Sequence, residues 1–311
     1  MKYRMEIRKQ QLYLMHRAAI VLLMLFTFGI TALVSERVFE RLPHLEDEVA
    51  YLYQARVFAD GDTTVDTPQP PRAYWQPFVV DSRETGQRFG KYTPGWSVML
   101  APGVMMGQPW LINALFAVLT VALIFRLGSE IYNPDVGLVA AILLAFSPMA
   151  LLLNASLMGH TAALFYTTMF VFAYWRLQQG KHALQWGLLA GLMLGMLVIS
   201  RPLSGIAVAL PFIAWSVLRL LRAFLIEPDF SQRLQSTLKT LTPLVALGIV
   251  TLLITTAIPL FNNAATGDPG QNLYELVWEY DQIGFGECCG RNGHRLEKAY
   301  IHGRYDLSVT A

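Results

Sequence analysis

The sequence is poor in charged residues and in cysteine. Only 15% of its 311 residues are charged, whereas 54% are hydrophobic; a soluble domain usually has about 25% charged residues. This composition excludes an ordinary soluble enzyme. The two cysteines, Cys288 and Cys289, are neighbours, so they cannot cross-link distant parts of the chain or supply a Cys-rich zinc module. A net charge of +2 is too balanced to indicate nucleic acid binding, and we expect no nucleic acid partner.

Long apolar stretches are abundant instead. The hydrocarbon core of a bilayer is spanned by roughly 20 mostly apolar helical residues. Seven stretches qualify as spans: 18–34, 110–125, 136–153, 161–175, 183–199, 204–221 and 241–261. The sequence therefore predicts an all-α membrane protein of about seven transmembrane helices, in which residues 1–311 form a single multi-pass domain. In the fifth span, Gly187, Gly191 and Gly195 form a ridge of small residues that we expect to pack closely against another helix.

The charges are divided unevenly between the two sides of this topology. The segments on the side of the N-terminus hold 12 basic and five acidic residues, whereas the other side holds 12 basic and 17 acidic residues. Because Lys and Arg concentrate in cytoplasmic segments, this bias predicts a cytoplasmic N-terminus. The outer segments are then residues 35–109 and 262–311. The alternative for the first span is a cleaved signal peptide, but no convincing small-residue cleavage site follows it.

An acidic pair opens a predicted helix beyond the first span. Asp47 and Glu48 precede residues 49–59, whose apolar side chains recur at helical spacing and favour an amphipathic juxtamembrane helix lying on the membrane surface. Asp is a common N-cap, and acids in a first turn interact favourably with the helix dipole. By residue type alone, capping is the simpler interpretation of the pair, and catalysis is the alternative.

Three further polar places lie at the predicted outer face. Lys91 precedes Tyr92 and Trp96, which taken singly are typical of membrane-interface anchors, and the apolar stretch 97–106 is too short to cross and suits an interfacial or re-entrant segment. His160 follows the third span, where a hydrogen-bonded structural histidine is the simpler interpretation. Arg201 follows the fifth span, where an arginine can extend to lipid headgroups.

The predicted topology brings Asp47, Glu48, Lys91, His160 and Arg201 to the same outer face. Transfer of a group from a phosphate-linked lipid needs such a set. A carboxylate accepts the proton of the attacking hydroxyl, while Arg or Lys neutralises the departing phosphate.

The order of several motifs resembles a known family of membrane enzymes. The motifs are Asp47-Glu48 with Tyr51, Ala55 and Gly61, then Tyr92-Thr93-Pro94-Gly95-Trp96 with Leu100-Ala101-Pro102, then Gly159-His160-Thr161, Arg201-Pro202, and the stretch from Gly284-Phe285-Gly286 to Gly293-His294. Together they resemble the type-C (GT-C) integral-membrane glycosyltransferases, which include the protein O-mannosyltransferases and the lipid A aminoarabinose transferases.

The resemblance implies an activity and roles for residues. A sugar, hexose or pentose, is transferred with inversion from a polyprenyl-phosphate donor to a hydroxyl of a lipid, glycan or protein acceptor, on the non-cytoplasmic side of a bacterial inner membrane. Asp47 becomes the candidate base, Glu48 its neighbour, Arg201 a phosphate ligand, and Lys91 and His160 further substrate-binding candidates. The branch of the family that the chain most resembles does not generally require a metal, and no other cofactor is implied. From the residues alone metal dependence stays open, because Asp47, Glu48 and His160 offer oxygen and nitrogen ligands. Family members usually have more spans, so we expect the chain to be a fragment or a truncated product.

Two other classes of function stay open at this point. A secondary transporter or lipid flippase would favour ionisable groups near the bilayer midplane, whereas the predicted spans are nearly free of charge. A non-catalytic membrane scaffold would leave Asp47 and Arg201 facing different cavities.

Overall fold

The chain is described by a computed structural model over residues 2–226 and 230–310, so Glu227 and Asp229, two of the acids counted above, lie outside the described residues. Helices dominate: α1 (Lys2–Arg37), α2 (Glu46–Ala59), α3 (Gly95–Met105), α4 (Trp110–Ile131), α5 (Pro134–Ala145), α6 (Pro148–Ala155), α7 (His160–Gln178), α8 (Ala183–Ser200), α9 (Pro202–Ile226), α10 (Phe230–Thr255), α11 (Ala257–Thr266) and α12 (Leu296–Thr310). A 3₁₀ turn (Pro71–Tyr74) and the short strands β1 (Val65–Asp66), β2 (Val79–Asp81) and β3 (Gln87–Gly90) complete the described elements. The prediction of an all-α membrane protein is confirmed in its main architecture.

All seven predicted spans are helical, and most are long and apolar enough to cross a bilayer. Within the described residues, five stretches meet both conditions: Leu14–Arg37, Trp110–Ile131, Ala183–Ser200, Pro202–Arg222 and Leu234–Thr266. A sixth arises if α5 and α6 form one broken span. The seventh, α7, has 19 residues but is not among the apolar set. Five or six spans are therefore assigned by length and composition.

The third predicted span is bent by 62° between α5 and α6. A proline disfavours helical backbone in the residue before it, and Pro148 follows Ser147, whose backbone is extended. The Ser147 hydroxyl accepts from the N–H of Ala150 at 3.4 Å and so caps the new helix. The Ser-Pro pair inside an apolar stretch marks this break in the sequence.

Helix α7 is less apolar because protein surrounds it. Tyr166, Phe170 and Tyr174 belong to the main buried cluster, together with residues of α3, α4 and α8. A helix enclosed by other helices has little contact with lipid, so it can contain threonine and tyrosine residues, whose hydroxyl groups are polar. This position explains why hydropathy singles it out less clearly than its neighbours.

The glycine ridge of α8 packs against α10, as predicted. A Cβ placed on Gly187 would lie 2.4 Å from the carbonyl oxygen of Pro243, and one on Gly191 would lie 2.5 Å from that of Leu247. The backbones thus approach to a distance that side chains would prevent. Thr251 of α10 also donates to the carbonyl of Gly191 at 3.2 Å.

Arg201 alone joins α8 to α9. Its N–H donates to the carbonyl of Leu197 at 2.8 Å, and its own carbonyl accepts from Gly205 at 3.0 Å, so its backbone is bonded to both helices. Pro202 begins α9, where the missing N–H costs nothing. The backbone of Arg201 is therefore held at the junction of the two helices.

The segment between α1 and α4 folds onto the end of the bundle, which we call the Asp47 face. Helix α2 begins and ends close to where the sequence predicts, but its apolar side chains Ala50, Tyr51 and Ala55 are buried in the main core. The prediction that this helix lies on the membrane surface is wrong for that face, because α3 and β3 cover it; Gly90 of β3 lies against the carbonyl of Ala50.

A small antiparallel sheet, not predicted from the sequence, lies beyond α2. Its strand order is β1-β3-β2, with Val65 opposite Arg88 and Val80 opposite Phe89. Arg88 is buried and pairs with Asp81 across the strands at 3.1 Å.

At this sheet, the segment between α1 and α4 contacts α11 and the segment that follows it. Phe89 packs with Phe261 and Leu273 from the far end of the sequence, and the hydroxyl of Thr85 donates to the carbonyl of Ala265 at 2.8 Å. The segment after α10 is therefore docked on the first one, at the Asp47 face.

Candidate functional site

Asp47 and Glu48 have different partners although they are adjacent. Asp47 lies in the first turn of α2 and is half-buried; its Oδ1 accepts a hydrogen bond from the Tyr92 hydroxyl at 2.6 Å. Among the hydrogen bonds of the described residues, none reaches its second oxygen, Oδ2. One oxygen of Asp47 is therefore fixed and the other is left open.

Glu48 is 1% exposed, and both of its oxygens accept from backbone amides. Oε2 accepts from His44 at 2.6 Å and from Leu45 at 3.4 Å, while Oε1 accepts from Leu157 at 3.0 Å. Leu45 is the N-cap residue of α2, so Glu48 performs the capping that residue type suggested for the pair. Its bond to Leu157 also ties α2 to the connection between α6 and α7.

Three tyrosines form a wall beside Asp47. The ring centroids of Tyr51 and Tyr92 lie 4.5 Å apart, and those of Tyr92 and Tyr274 lie 5.5 Å apart. Burial, followed by the hydrogen bond to Asp47, raises the pKa of Tyr92. Burial likewise raises the pKa of Tyr274 to about 12. The Tyr92 hydroxyl therefore keeps its proton at neutral pH and donates a hydrogen bond to the Asp47 carboxylate.

Tyr92 and Trp96 are not membrane-interface anchors. Tyr92 is 9% exposed and Trp96 is fully buried, with its Nε1 donating to the carbonyl of Leu157 at 2.8 Å. Gly159 lies directly against the Trp96 ring, where an added Cβ would approach to 3.1 Å. The two aromatic residues instead position α3 against the turn that leads to His160.

His160 and Arg201 lie within electrostatic reach of Asp47. The charges of Arg201 and Asp47 both act on the His160 ring, and the charge of Arg201 also acts on Tyr51 and Tyr274. His160 is the first residue of α7, and its Nδ1 is buried with no hydrogen-bond partner among the described residues. The carboxylate and the guanidinium are thus both close enough to the imidazole to influence its protonation.

A close helix approach sets the position of Arg201. A Cβ on Gly95, at the start of α3, would lie 2.6 Å from the carbonyl carbon of Ile199. The end of α8 is therefore pressed against α3, which also packs against α2. In this way the elements that carry Asp47 and Arg201 are joined through one short buried helix.

The ammonium group of Lys91 is enclosed by aromatic rings. Its Nζ lies 3.8 Å from the ring centroid of Phe78, 4.4 Å from that of Trp278, 5.1 Å from Tyr92 and 5.4 Å from Tyr274. Asp281 lies at 4.0 Å, and the side chain is 3% exposed. Burial lowers the pKa of Lys91, and the carboxylates of Asp281, Asp47 and Glu46 oppose that shift. We call these four rings the lysine cage.

Sequence analysis did not predict that Tyr274, Trp278 and Asp281 belong to the candidate site. They come from the segment after α10. An aromatic-rich, acid-containing stretch after the seventh predicted span is the only signal that could have suggested them. The contacts of Lys91 bring this stretch to the Asp47 face. Two cavities in the described part of the chain, of about 490 and 350 Å³, are lined by other residues.

Within the described residues, no group of three His, Cys, Asp or Glu side chains is placed to hold a metal ion. The chemistry that the site offers comes from its charges. A carboxylate with an open oxygen can accept a proton, and a guanidinium beside an imidazole can stabilise an anion.

Comparison with known families decides the class of the protein. The sequence profile of the dolichyl-phosphate-mannose-protein mannosyltransferase family matches residues 97–259, more than half of the chain. The chain belongs to this family. The match to the mannosyltransferase family includes His160 and Arg201, and it begins after Asp47, Glu48 and Lys91. No curated protein and no solved structure matches the chain.

Membership of the mannosyltransferase family agrees with the architecture. The family is of the GT-C type, and the chain has several long apolar helices. The protein is therefore a multi-pass membrane glycosyltransferase of this type, which takes its sugar from a polyprenyl-phosphate donor.

Proposed function

We propose that the protein transfers a sugar from a polyprenyl phosphate to an acceptor hydroxyl, with inversion, at the Asp47 face. The observation that carries the proposal is the arrangement of Asp47: one oxygen accepts from Tyr92 at 2.6 Å, and the other has no hydrogen-bond partner in the described part of the chain. A carboxylate oriented in this way by a protonated tyrosine has a lone pair available for an incoming hydroxyl.

Asp47 acts as the base in this mechanism. The acceptor O–H donates to Oδ2, and its proton passes to the carboxylate as the acceptor oxygen attacks the anomeric carbon of the donor sugar. The bond from that carbon to the phosphate oxygen breaks on the opposite side, and its electron pair leaves with the phosphate. A single displacement of this kind inverts the configuration at the anomeric carbon.

Arg201 and His160 act on the departing phosphate. The guanidinium offers paired N–H donors, which match the geometry of phosphate oxygens. His160 adds a ring whose Nδ1 has no partner among the described residues, at the start of a helix whose dipole favours negative charge. Glu48 contributes indirectly, by fixing the first turn of α2, and Lys91 contributes by holding the segment that carries Tyr274.

The Asp47 face is the non-cytoplasmic face in this proposal, and the N-terminus is cytoplasmic. The excess of basic residues on the side of the N-terminus supports that orientation, and we place the protein in the inner membrane of a bacterium. The donor sugar is a hexose or a pentose, and the acceptor is a lipid, a glycan or a protein.

The test uses the full chain, purified and reconstituted in lipid, with polyprenyl-phosphate mannose labelled in the sugar. Label is followed into solubilised membrane material that serves as the acceptor mixture, and release of polyprenyl phosphate is measured in parallel. Asp47→Asn should lower both rates by about 10²- to 10⁴-fold, since a positioned base contributes about that much.

Glu46→Gln is the matched control, because Glu46 is an exposed acid in the same first turn. It should leave the rate within about twofold, as expected for a surface charge with weak effects. Transfer that survives Asp47→Asn would remove Asp47 as the base. Movement of a labelled lipid across the bilayer that needs no transfer and survives Asp47→Asn would favour the flippase alternative.

A further inference from the structure

A cavity of about 350 Å³ lies on the side of α2 that faces away from Asp47. Val49, Leu52, Tyr53 and Arg56 line it. Arg56 follows Asp47 by nine residues, and with about 3.6 residues per turn that separation places the two on opposite sides of the helix. The cavity is thus separate from the candidate site, although the same helix borders both.

The walls of the cavity indicate that it lies at the depth of lipid headgroups. Its other walls come from Arg41 to Pro43, which follow the end of α1, and from Val104, Gly107 and Pro109, which precede α4. Both α1 and α4 contain stretches long and apolar enough to span a bilayer. The junction of two such ends is where the hydrocarbon core gives way to headgroups, and Trp110, at the start of α4, is a residue type enriched at that depth.

The cavity carries more positive than negative charge. Arg41 lies over the Trp110 ring, 5.6 Å from its centroid, and pairs with Glu36 at 3.1 Å. Arg56 is exposed and has no ion pair among the described residues. Two guanidinium groups therefore face one carboxylate, on the side of the topology where acids outnumber bases.

Apolar surface adjoins these cations. Leu42 is 57% exposed at the rim, and Met105 and Met106 of the neighbouring turn are 73% and 59% exposed. Large apolar side chains next to arginines at the end of two spans fit a ligand with an acidic head and acyl chains.

We propose that this cavity binds the phosphate of an anionic phospholipid, between Arg41 and Arg56, with its acyl chains along the apolar rim. The phosphodiester carries the negative charge that the two guanidinium groups match, and bidentate hydrogen bonds orient it. A lipid bound there holds α2 from the side opposite to Asp47.

The test uses the full chain in a mild detergent and two lipids with identical acyl chains, phosphatidylglycerol and phosphatidylcholine. Native mass spectrometry measures the fraction of protein that retains each lipid as its concentration rises. Phosphatidylglycerol should be retained at a lower concentration. Arg56→Gln and Arg41→Gln should each weaken its retention about fivefold, which corresponds to about 1 kcal/mol per basic residue, and should leave phosphatidylcholine unchanged.

Two variants make the result specific. Arg72→Gln removes an exposed arginine of the same inter-span segment that does not line the cavity, and it should not alter retention. Arg56→Lys should keep most of the phosphatidylglycerol binding, which separates loss of charge from loss of fold.

Equal retention of the two lipids, or an equal effect of Arg72→Gln, would overturn the proposal. Displacement of phosphatidylglycerol by an equal concentration of glycerol 3-phosphate would also overturn it, because the ligand would then be a soluble phosphate ester. A dimer in the spectrum that excludes phosphatidylglycerol would instead assign the cavity to contact between copies of the chain.

Discussion

The two ends of the helix bundle differ in the pairing of their charged side chains. At the end opposite Asp47, Glu130 pairs with both Arg126 and Arg176 at 2.6 Å, and His16 lies 2.8 Å from Asp135. At the Asp47 face, neither Asp47 nor Arg201 forms an ion pair within the described part of the chain, although each acts electrostatically on His160. Glu130 and Asp135 are thus paired within the protein at one end, whereas Asp47 and Arg201 have no ion pair among the described residues at the other.

The difference separates charges that stabilise the fold from charges that remain available to a ligand. A charged side chain without an ion-pair partner in the protein can bind a ligand of opposite charge directly, as arginine binds phosphate. The same face contains satisfied charges as well: Glu48 accepts three backbone amides, and Lys91 is surrounded by the lysine cage.

Removing Arg201 should have the largest effect of the four changes that test this comparison. Arg201→Gln should lower kcat/KM for a polyprenyl-phosphate mannose donor by about 10²- to 10³-fold, the range found when one donor to a developing anion is lost. Arg201→Lys should recover part of the rate, because the charge returns without the paired donors. Steady-state kinetics on reconstituted protein measure both. A rate unchanged in Arg201→Gln would show that the unpaired charge is incidental.

Changing the satisfied acid should affect stability rather than chemistry. Glu48→Gln replaces one accepting oxygen with an amide donor facing a backbone N–H, so we expect a loss of about 1–3 kcal/mol in the free energy of unfolding. Thermal unfolding in detergent, followed by circular dichroism, measures it. Protein that remains folded should keep kcat within about tenfold; a normal unfolding temperature with abolished activity would place Glu48 in the chemistry.

The lysine cage can be tested with a double-mutant cycle. Lys91→Met and Trp278→Ala should each increase hydrogen exchange in residues 272–281, and together they should be non-additive by about 1–2 kcal/mol, as expected for a desolvated cation over aromatic rings. Lys298→Met, in the same segment but bonded to Arg291 and Gly293 carbonyls, is the control. Additive effects would mean that Lys91 does not act through Trp278.

The paired end should respond least. Glu130→Gln breaks two ion pairs in which the arginines are partly exposed, and partly exposed pairs contribute about 0–1 kcal/mol. The unfolding temperature should fall slightly, and the rate of transfer should stay unchanged. A large loss of activity in this variant would contradict the distinction between the two ends.

Much of the fold follows from the sequence because spanning a membrane needs only length and apolarity. The helical position of every predicted span and the packing of Gly187, Gly191 and Gly195 are examples. The sheet could not be predicted, since its strands have two to four residues and depend on contacts with distant segments. The surface of α2 was misassigned for a related reason: an amphipathic pattern shows that a face is buried, not whether lipid or protein buries it.

For the candidate site, the sequence predicts that Asp47, His160 and Arg201 share one face, but it does not predict the contacts of the individual side chains. Topology alone brings Asp47, His160 and Arg201 to one face. It cannot show that both oxygens of Glu48 accept backbone amides, that aromatic rings enclose Lys91, or that Tyr274 packs against Tyr92. Each of these depends on side-chain contacts between residues that are far apart in the sequence, which no local pattern records.

Because Arg201 alone connects α8 to α9, its position depends directly on the orientation of these two helices. Its N–H is bonded to one and its carbonyl to the other, so the guanidinium has no loop to absorb a change in the tilt of either. A thicker or thinner bilayer alters helix tilt at a modest cost per ångström. We therefore expect a change in bilayer thickness to alter the position of Arg201 relative to Asp47, with no ligand bound.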